Sequence, residues 1–169
     1  LIHNKINLGY LESCNKAATT AKGSFLYLLN NDTYIITGSI DHLFDTFSRQ
    51  PNAGLVGSKL MYPSGILQEA GGIVWRDGTA WNYGRYKIGH EPRYNYLRSV
   101  DYCSAASVMI PRDLFISLGG FDTIYKPAYY EDTDLAMKVR QSGREVLYQP
   151  KSEVIHFEGI SHGTDTNQG

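Results

Sequence analysis

The stretch Phe25-Leu26-Tyr27-Leu28-Leu29-Asn30-Asn31-Asp32-Thr33 decides how this chain is read. Its first five residues form a short, continuously apolar run that suits a strand covered on both faces, and the run breaks abruptly into a polar string. Asp32 therefore falls just past the carboxyl end of a strand, where open α/β sheets gather their ligands. A carboxylate in that place is free to reach a hard divalent cation bridging two phosphates. For Asn30, Asn31 and Asp32 taken alone, a plain polar turn is the simpler reading.

Upstream of the run, Asn7 is placed to cap a helix that carries Leu11, Cys14 or Asn15, Ala18 and Ala21 on its inner face and stops at Gly23. Downstream, Ser39 starts a second amphipathic helix with Ile40, Leu43, Phe44 and Phe47 as one buried stripe, ended by Pro51. Ala53 to Met61 reads as another strand. Glycines at 65, 71, 72, 78, 84 and 89 then punctuate short β pieces up to about Pro92. A strand from Val100 to Ile110 and a helix from Pro111 lead to a turn at Gly119, Gly120 and Phe121. The next helix starts near Tyr130 or Glu131, buries Leu135, Ala136 and Val139, and stops at Gly143, before a strand from Glu145 to Tyr148. Strands alternating with helices, followed by a glycine-rich β middle, predict an α/β fold: a mixed sheet flanked by helices. One domain is expected over residues 1–169, with a mobile tail from Gly159 onward.

Composition narrows the function classes. The 169 residues are 42% apolar, enough for a core that does not depend on disulfides or a structural metal. Sixteen basic residues nearly balance seventeen acidic ones, so no global field points to a nucleic-acid partner. Cys14 and Cys103 lack the spacing of a zinc knuckle or redox pair, which makes a reducing compartment the default. The longest apolar run, Phe25 to Leu29, falls far short of the ~20 residues needed to span a bilayer. The chain opens at Leu1 without a leader pattern and is read as a fragment.

Three further groups of residues can carry chemistry. Glu131, Asp132 and Asp134 crowd the first turn of a helix, where the macrodipole stabilises anions; helix capping is the plain alternative to a catalytic base. His156 follows a strand and has the chemistry of a ligand for Mn²⁺ or a similar ion, although a lone loop histidine is more often a surface residue. Trp81, Tyr83 and other rings interleave with Arg76, Arg85, Lys87, Arg93 and Arg98. They read either as a sugar-stacking acceptor platform or as ordinary packing in a β-rich region.

Taken in order, these segments resemble glycosyltransferase family 2 of GT-A type, in its rhamnosyltransferase-like branch. The resemblance is carried by Asn7, Gly9, Tyr10 and Asn15, by Leu28 to Thr33, by Gly119 to Asp122, by Glu131, Asp132, Asp134 and Leu135, and by Pro150, His156, Glu158, Gly159, Ser161 and Gly163. It implies that Asp32 is the metal-binding member of a variant D-x-D motif, with Asn30 in place of the first aspartate, and that His156 is the second protein ligand of Mn²⁺ or Mg²⁺. Asn7, Gly9, Asn30 and Asn31 would then lie on the donor side. Asp132 would be the general base, with Glu131 or Asp134 orienting it or the acceptor. Trp81, Tyr83, Tyr129 and Tyr130 would face the acceptor. The implied reaction moves a sugar from a nucleoside-diphosphate sugar to a saccharide or lipid-linked saccharide by a single inverting displacement. A cytoplasmic location at the inner face of the cell membrane is implied, with peripheral attachment through segments outside this chain. The family's opening βαβ segment, which holds the nucleotide base, would precede Leu1.

A non-catalytic carbohydrate-binding or scaffolding module of the same fold is the main rival reading. A nucleotidyltransferase lacks support because no glycine-rich phosphate loop is present, and an EF-hand calcium site because the twelve-residue loop pattern is missing.

Overall fold

The computed structural model describes residues 1–158. The strands are β1 (Phe25–Leu29), β2 (Thr33–Ile35), β3 (Ala53–Met61), β4 (Leu67–Glu69), β5 (Gly72–Val74), β6 (Ala80–Asn82), β7 (Arg98–Ser99), β8 (Ser107–Pro111) and β9 (Glu145–His156). The α-helices are α1 (Gly9–Thr20), α2 (Ser39–Arg49), α3 (Arg112–Ser117) and α4 (Glu131–Gln141). Seven strands form one sheet in the order β1-β8-β3-β9-β2, with β4 added to β3 and β7 to β9; β5 and β6 make a separate hairpin. Among the described residues only the β3–β9 pair is parallel, so the sheet is mixed as the alternation of elements predicts.

Helices cover both faces. Leu11 of α1, Phe115 of α3 and Leu135, Ala136 and Val139 of α4 pack with Leu26, Leu28, Val146 and Tyr148 in the larger core. Leu43 of α2 closes the other face over Val56, Met109 and Leu147, with Phe25, Tyr27 and Phe47 at its margin. The apolar run of β1 is thus used on both sides, its even-numbered residues towards the larger core and its odd-numbered ones towards α2. Within the sheet, β3 is buried along its whole length. Three serines meet there: Ser58 Oγ lies 2.7 Å from Ser107 Oγ and 2.8 Å from Ser152 Oγ, satisfying hydroxyls that would otherwise be costly to bury. Among the described residues no helix is long and apolar enough to cross a membrane.

Four elements differ from expectation. The inward line of α2 runs through Ser39, Leu43 and Thr46, which leaves Ile40 and Phe44 exposed. Polar residues hold that line because Ser39 Oγ donates to the Glu153 carbonyl and Thr46 Oγ1 accepts from Gln149, so the buried hydroxyls are satisfied. The strand expected from Val100 is interrupted: residues 100–106 form a buried turn and β8 starts only at Ser107. Conversely, β9 runs on past Tyr148 to His156. Pro150 looks like a strand breaker, yet it sits in a bulge, where Ser58 faces Gln149 and the next residue, Lys59, faces Glu153. Finally, α1 starts at Gly9, with Asn7 Oδ1 accepting from the Gly9 N–H at 2.9 Å, a turn one residue short of the predicted cap.

This topology brings the chemistry-bearing segments to one end of the sheet. β1, β3 and β9 finish there, and antiparallel β8 begins there, Leu29 lying opposite Ser107 and Met61 opposite Ile155. Because α4 feeds β9 at its opposite end, the α4 N-terminus also lies at this edge.

Candidate active site

Asp32 follows β1 in a tight turn, and its neighbour is the last residue of β9. Asp32 Oδ1 lies 3.3 Å from His156 Nε2, with both side chains about nine-tenths buried (10% and 11% exposed). Two strands deliver this pair, since Thr33 of β2 sits opposite His156 in register and the Phe157 N–H donates to the Asp32 carbonyl at 2.9 Å. Burial lowers the His156 pKa against the opposing pull of Asp32 and Glu158, which favours the neutral ring. On the other ring nitrogen, Nδ1 lies 3.0 Å from Gln68 Oε1, while Asn30 Nδ2 is 3.3 Å from Nε2. With Nδ1 donating, Nε2 is a lone-pair acceptor, and Asp32 Oδ1 has no hydrogen-bond partner although it is buried. The Asn30 NH₂ can donate to Nε2, but Asp32 Oδ1 gains no donor from it, and two acceptors 3.3 Å apart are a good seat for a cation that displaces Asn30. Among the described residues no group of three or more His, Cys, Asp or Glu converges, so the protein side of such a seat is this pair.

At the start of α4, Asp132 is held from two sides. Its Oδ2 accepts from the Ala105 N–H at 3.2 Å; its Oδ1 accepts from the Thr133 N–H at 2.7 Å and from the Thr133 hydroxyl at 3.3 Å. Burial raises its pKa, only partly offset by those donors, so the carboxylate is a stronger base than a solvated aspartate. Asp134 is occupied elsewhere, 2.6 Å from Lys138 one turn along the helix. Glu131 is half-buried beside it. Tyr129 and Tyr130, about half exposed, lead into the helix with φ of 80° and 72°, a left-handed pair that side-chain-bearing residues rarely adopt in succession.

The remaining expected residues are placed less centrally. Asn7 is exposed and Gly9 half-buried at the α1 start; Asn31 is exposed beside Asp32. Trp81 is 66% exposed on β6, whereas Tyr83 packs edge-on against Tyr94 at 5.3 Å with the Arg98 guanidinium 4.5 Å from its ring, an environment of packing rather than display. Asn15 ties α1 to the glycine turn: its Oδ1 accepts from the Phe121 N–H and its Nδ2 donates to the Phe121 carbonyl. Gly120 has φ of +67°, and a Cβ there would lie 2.5 Å from Asn15 Oδ1, so both features of that motif are needed for the junction. Gly159, Ser161 and Gly163, with the tail expected to be mobile, lie outside the described residues.

At the level of sequence Glu69 was missed, and Glu158 was named as a motif residue without a role. Glu69 is fully buried, with Oε1 accepting from the Ser104 N–H at 2.9 Å, one amide before the one that holds Asp132. Burial pushes its carboxyl up to about 8, with Asp132 and Glu158 adding to the rise and the Ser104 amide and Arg85 opposing it. Glu158 accepts two hydrogen bonds from Arg85 Nη2, at 2.9 and 3.0 Å, and one from Tyr62 Oη at 2.9 Å. The one available signal was a Gln-Glu pair, Gln68-Glu69, set in a short apolar β piece against Gly71-Gly72.

The folded state keeps the Glu69 proton up to about pH 8, while the unfolded chain gives it up near 4.5, as an exposed glutamate does. The folded state therefore binds more protons across that window, so stability falls as pH rises through it, by at most about 1.4 kcal/mol per pH unit. Urea denaturation between about pH 5 and about pH 8 is expected to show this decline, and Glu69→Gln to flatten it; equal slopes for the two proteins would contradict the assignment.

The sequence matches no family model. In structure, the chain superposes on GalNAc-T7 bound to UDP, GalNAc and Mn²⁺ with a TM-score of 0.73 and 16% identity, over 92% of this chain and 31% of that one. It superposes on the mannosyltransferase PcManGT of Pyrobaculum calidifontis, bound to GDP-Man and Mn²⁺, with a TM-score of 0.64 and 14% identity, over 96% and 40%. The fold is that of the GT-A glycosyltransferases. In sequence, the GT-A chain is 34% identical to the O-antigen biosynthesis protein RfbC of Myxococcus xanthus, over 89% of this chain. It is 28% identical to the N-acetylglucosaminyl-diphospho-decaprenol L-rhamnosyltransferase of Mycobacterium tuberculosis, over 98% of this chain. It spans 12% of the first relative and 61% of the second. The resemblance to family 2 and its rhamnosyltransferase-like branch, read from ordered motifs, agrees with these relatives.

Proposed function

We propose that this GT-A chain carries the metal-binding and acceptor-activating side of an inverting glycosyltransferase. The observation that supports this most is the Asp32–His156 pair, with its orphaned carboxylate oxygen, at the same sheet end as the partly buried carboxylate of Asp132. Asp32 Oδ1 and His156 Nε2 would hold Mn²⁺ or Mg²⁺. When bound, that ion neutralises charge developing on a leaving diphosphate. Hard oxygen from the carboxylate and borderline nitrogen from the imidazole make Mn²⁺ the better match of the two ions.

Asp132 is the base in this reading. It accepts the proton of an acceptor hydroxyl as that oxygen bonds to the anomeric carbon from the face opposite the leaving diphosphate, and the configuration inverts. The Ala105 and Thr133 amides keep the carboxylate aimed while it changes protonation. Tyr129 and Tyr130 offer ring faces to a sugar beside that base, a role that fits their exposure and enforced backbone. The donor is a nucleoside-diphosphate sugar. The acceptor is a saccharide or lipid-linked saccharide, in keeping with the name of the mycobacterial relative. The site would work in the cytoplasm, at the inner membrane face.

Calorimetric titration with UDP, dTDP and GDP, each with and without Mn²⁺, tests the reading on this chain and on one extended upstream. Metal-dependent binding of one nucleotide by the extended chain is expected. Absence of binding to either would favour a non-catalytic module built on the same fold.

A further inference from the structure

The orientation of His156 is not left to the strand that carries it. Its Nδ1 meets Gln68 Oε1 at 3.0 Å, and Gln68 is only 2% exposed. Gln68 is also within side-chain hydrogen-bond reach of Glu158. Glu158 in turn is gripped by Arg85 on both oxygens and by the Tyr62 hydroxyl. Tyr62 stacks on Tyr86 with ring centroids 5.6 Å apart and planes 4° from parallel, and the Arg85 guanidinium lies 5.2 Å from the Tyr86 ring. A line of polar contacts therefore runs from Arg85 through Glu158 and Gln68 to His156 and ends at Asp32.

Each link in that line has only one sensible direction. A carboxylate gripped by Arg85 and Tyr62 offers acceptors to Gln68, so the NH₂ of Gln68 turns towards it and the carbonyl oxygen turns towards His156. Facing a carbonyl, Nδ1 must carry the proton, and Nε2 is left with its lone pair, which has the Asn30 NH₂ and the Asp32 carboxylate each 3.3 Å away. Turning the Gln68 amide over would set its oxygen against the Glu158 carboxylate and its NH₂ against Nδ1. It would convert the His156–Asp32 contact into an ordinary Nε2–H hydrogen bond and remove the cation seat.

We propose that Gln68, oriented by Glu158 with Arg85 and Tyr62, is the positioning residue that fixes His156 in the Nδ1–H tautomer and so prepares Nε2 and Asp32 Oδ1 to share a divalent cation. This rests on the metal reading of Asp32 and His156 given above, and it adds a supporting shell of the kind that tunes metal-binding imidazoles. It also ties the metal seat to the loop bearing Arg85 and Tyr86, distant from it in sequence.

The test begins on the metal-free protein, with ¹⁵N NMR of the His156 ring. A protonated Nδ1 with an unprotonated Nε2 is expected; an Nε2–H tautomer would overturn the proposal without any metal being added. Binding of Mn²⁺ alone, followed by water-proton relaxation, then separates the two levels. Gln68→Leu is expected to weaken Mn²⁺ binding about 10-fold to 100-fold and to mix the tautomers. Glu158→Gln, at a less buried position, is expected to do so more mildly and serves if the Gln68 variant fails to fold. Asp32→Ala is the control for the seat itself. Mn²⁺ binding unchanged in Asp32→Ala would defeat the metal reading; binding lost in Asp32→Ala but unchanged in both Gln68→Leu and Glu158→Gln would defeat the role of Gln68 alone.

Discussion

Asp132→Asn is expected to lower the transfer rate by about 10³-fold while nucleotide affinity stays near the parent value. The change keeps the shape of the side chain and its contact with the Thr133 N–H, but it removes the only property the reaction needs from that position, an acceptor for the hydroxyl proton. A second consequence comes from the Ala105 amide. Its N–H donates to Asp132 Oδ2, and an asparagine NH₂ in that place would set donor against donor. A stability loss of about 1 kcal/mol should therefore accompany the loss of rate. Because a loss that small leaves the protein folded, rate and stability can be separated by measuring single-turnover transfer alongside urea denaturation. Near-normal turnover in the variant would remove Asp132 from the mechanism.

Asp32→Ala carries the second large effect. With one of the two proposed protein ligands gone, Mn²⁺-dependent nucleotide affinity should fall by about 10²-fold or more, close to 3 kcal/mol. The stability of the metal-free protein should move the other way in Asp32→Asn. The parent buries Asp32 Oδ1 without a hydrogen-bond partner, 3.3 Å from an imidazole nitrogen that also accepts. An asparagine there would replace the buried, partnerless carboxylate with an amide whose NH₂ shares Nε2 with the Asn30 NH₂, relieving the conflict for a gain of about 1 kcal/mol. A variant that binds metal worse yet melts higher is what a site kept for function looks like. If Asp32→Asn instead destabilised the protein in the absence of metal, the carboxylate would be a structural partner of His156.

Much of this was legible in the chain. The five-residue apolar run, the Ala53–Met61 segment and the helix at Glu131 all declared themselves, because composition, periodicity and length suffice when an element is regular and well buried. Ordered motifs placed Asp32, His156 and Asp132 in one reading. What failed has a common cause. Pro150 and the 100–106 segment are irregular backbone stabilised by tertiary contacts, and local pattern carries no trace of a bulge whose partner strand is about ninety residues away. The α2 stripe was misread because two buried positions are hydroxyls whose bonds come from a distant strand, a choice that hydrophobic periodicity counts as exposed. Gln68 and Glu69 escaped because isolated polar residues in a short strand alternate by geometry alone, and only their neighbours reveal a purpose.

The turn at Ser104 and Ala105 suspends Glu69 from one amide and Asp132 from the next, and it does so entirely through main-chain N–H groups. Beyond the Ser104 hydroxyl, which accepts from the Ala106 N–H at 3.3 Å, its side chains have only to be small enough for a site where Ala105 and Ala106 are almost completely enclosed. The turn can therefore drift among compact residues through evolutionary time, or be randomised in a library, while leaving both acids where they are. The vulnerable feature there is the presence of a nitrogen-bound hydrogen, which every amino acid but one supplies. Proline at 104 would take from Glu69 its Ser104 amide, and proline at 105 would leave Asp132 held by Thr133 alone, making this short segment a place where the two acids can be loosened one at a time without touching either.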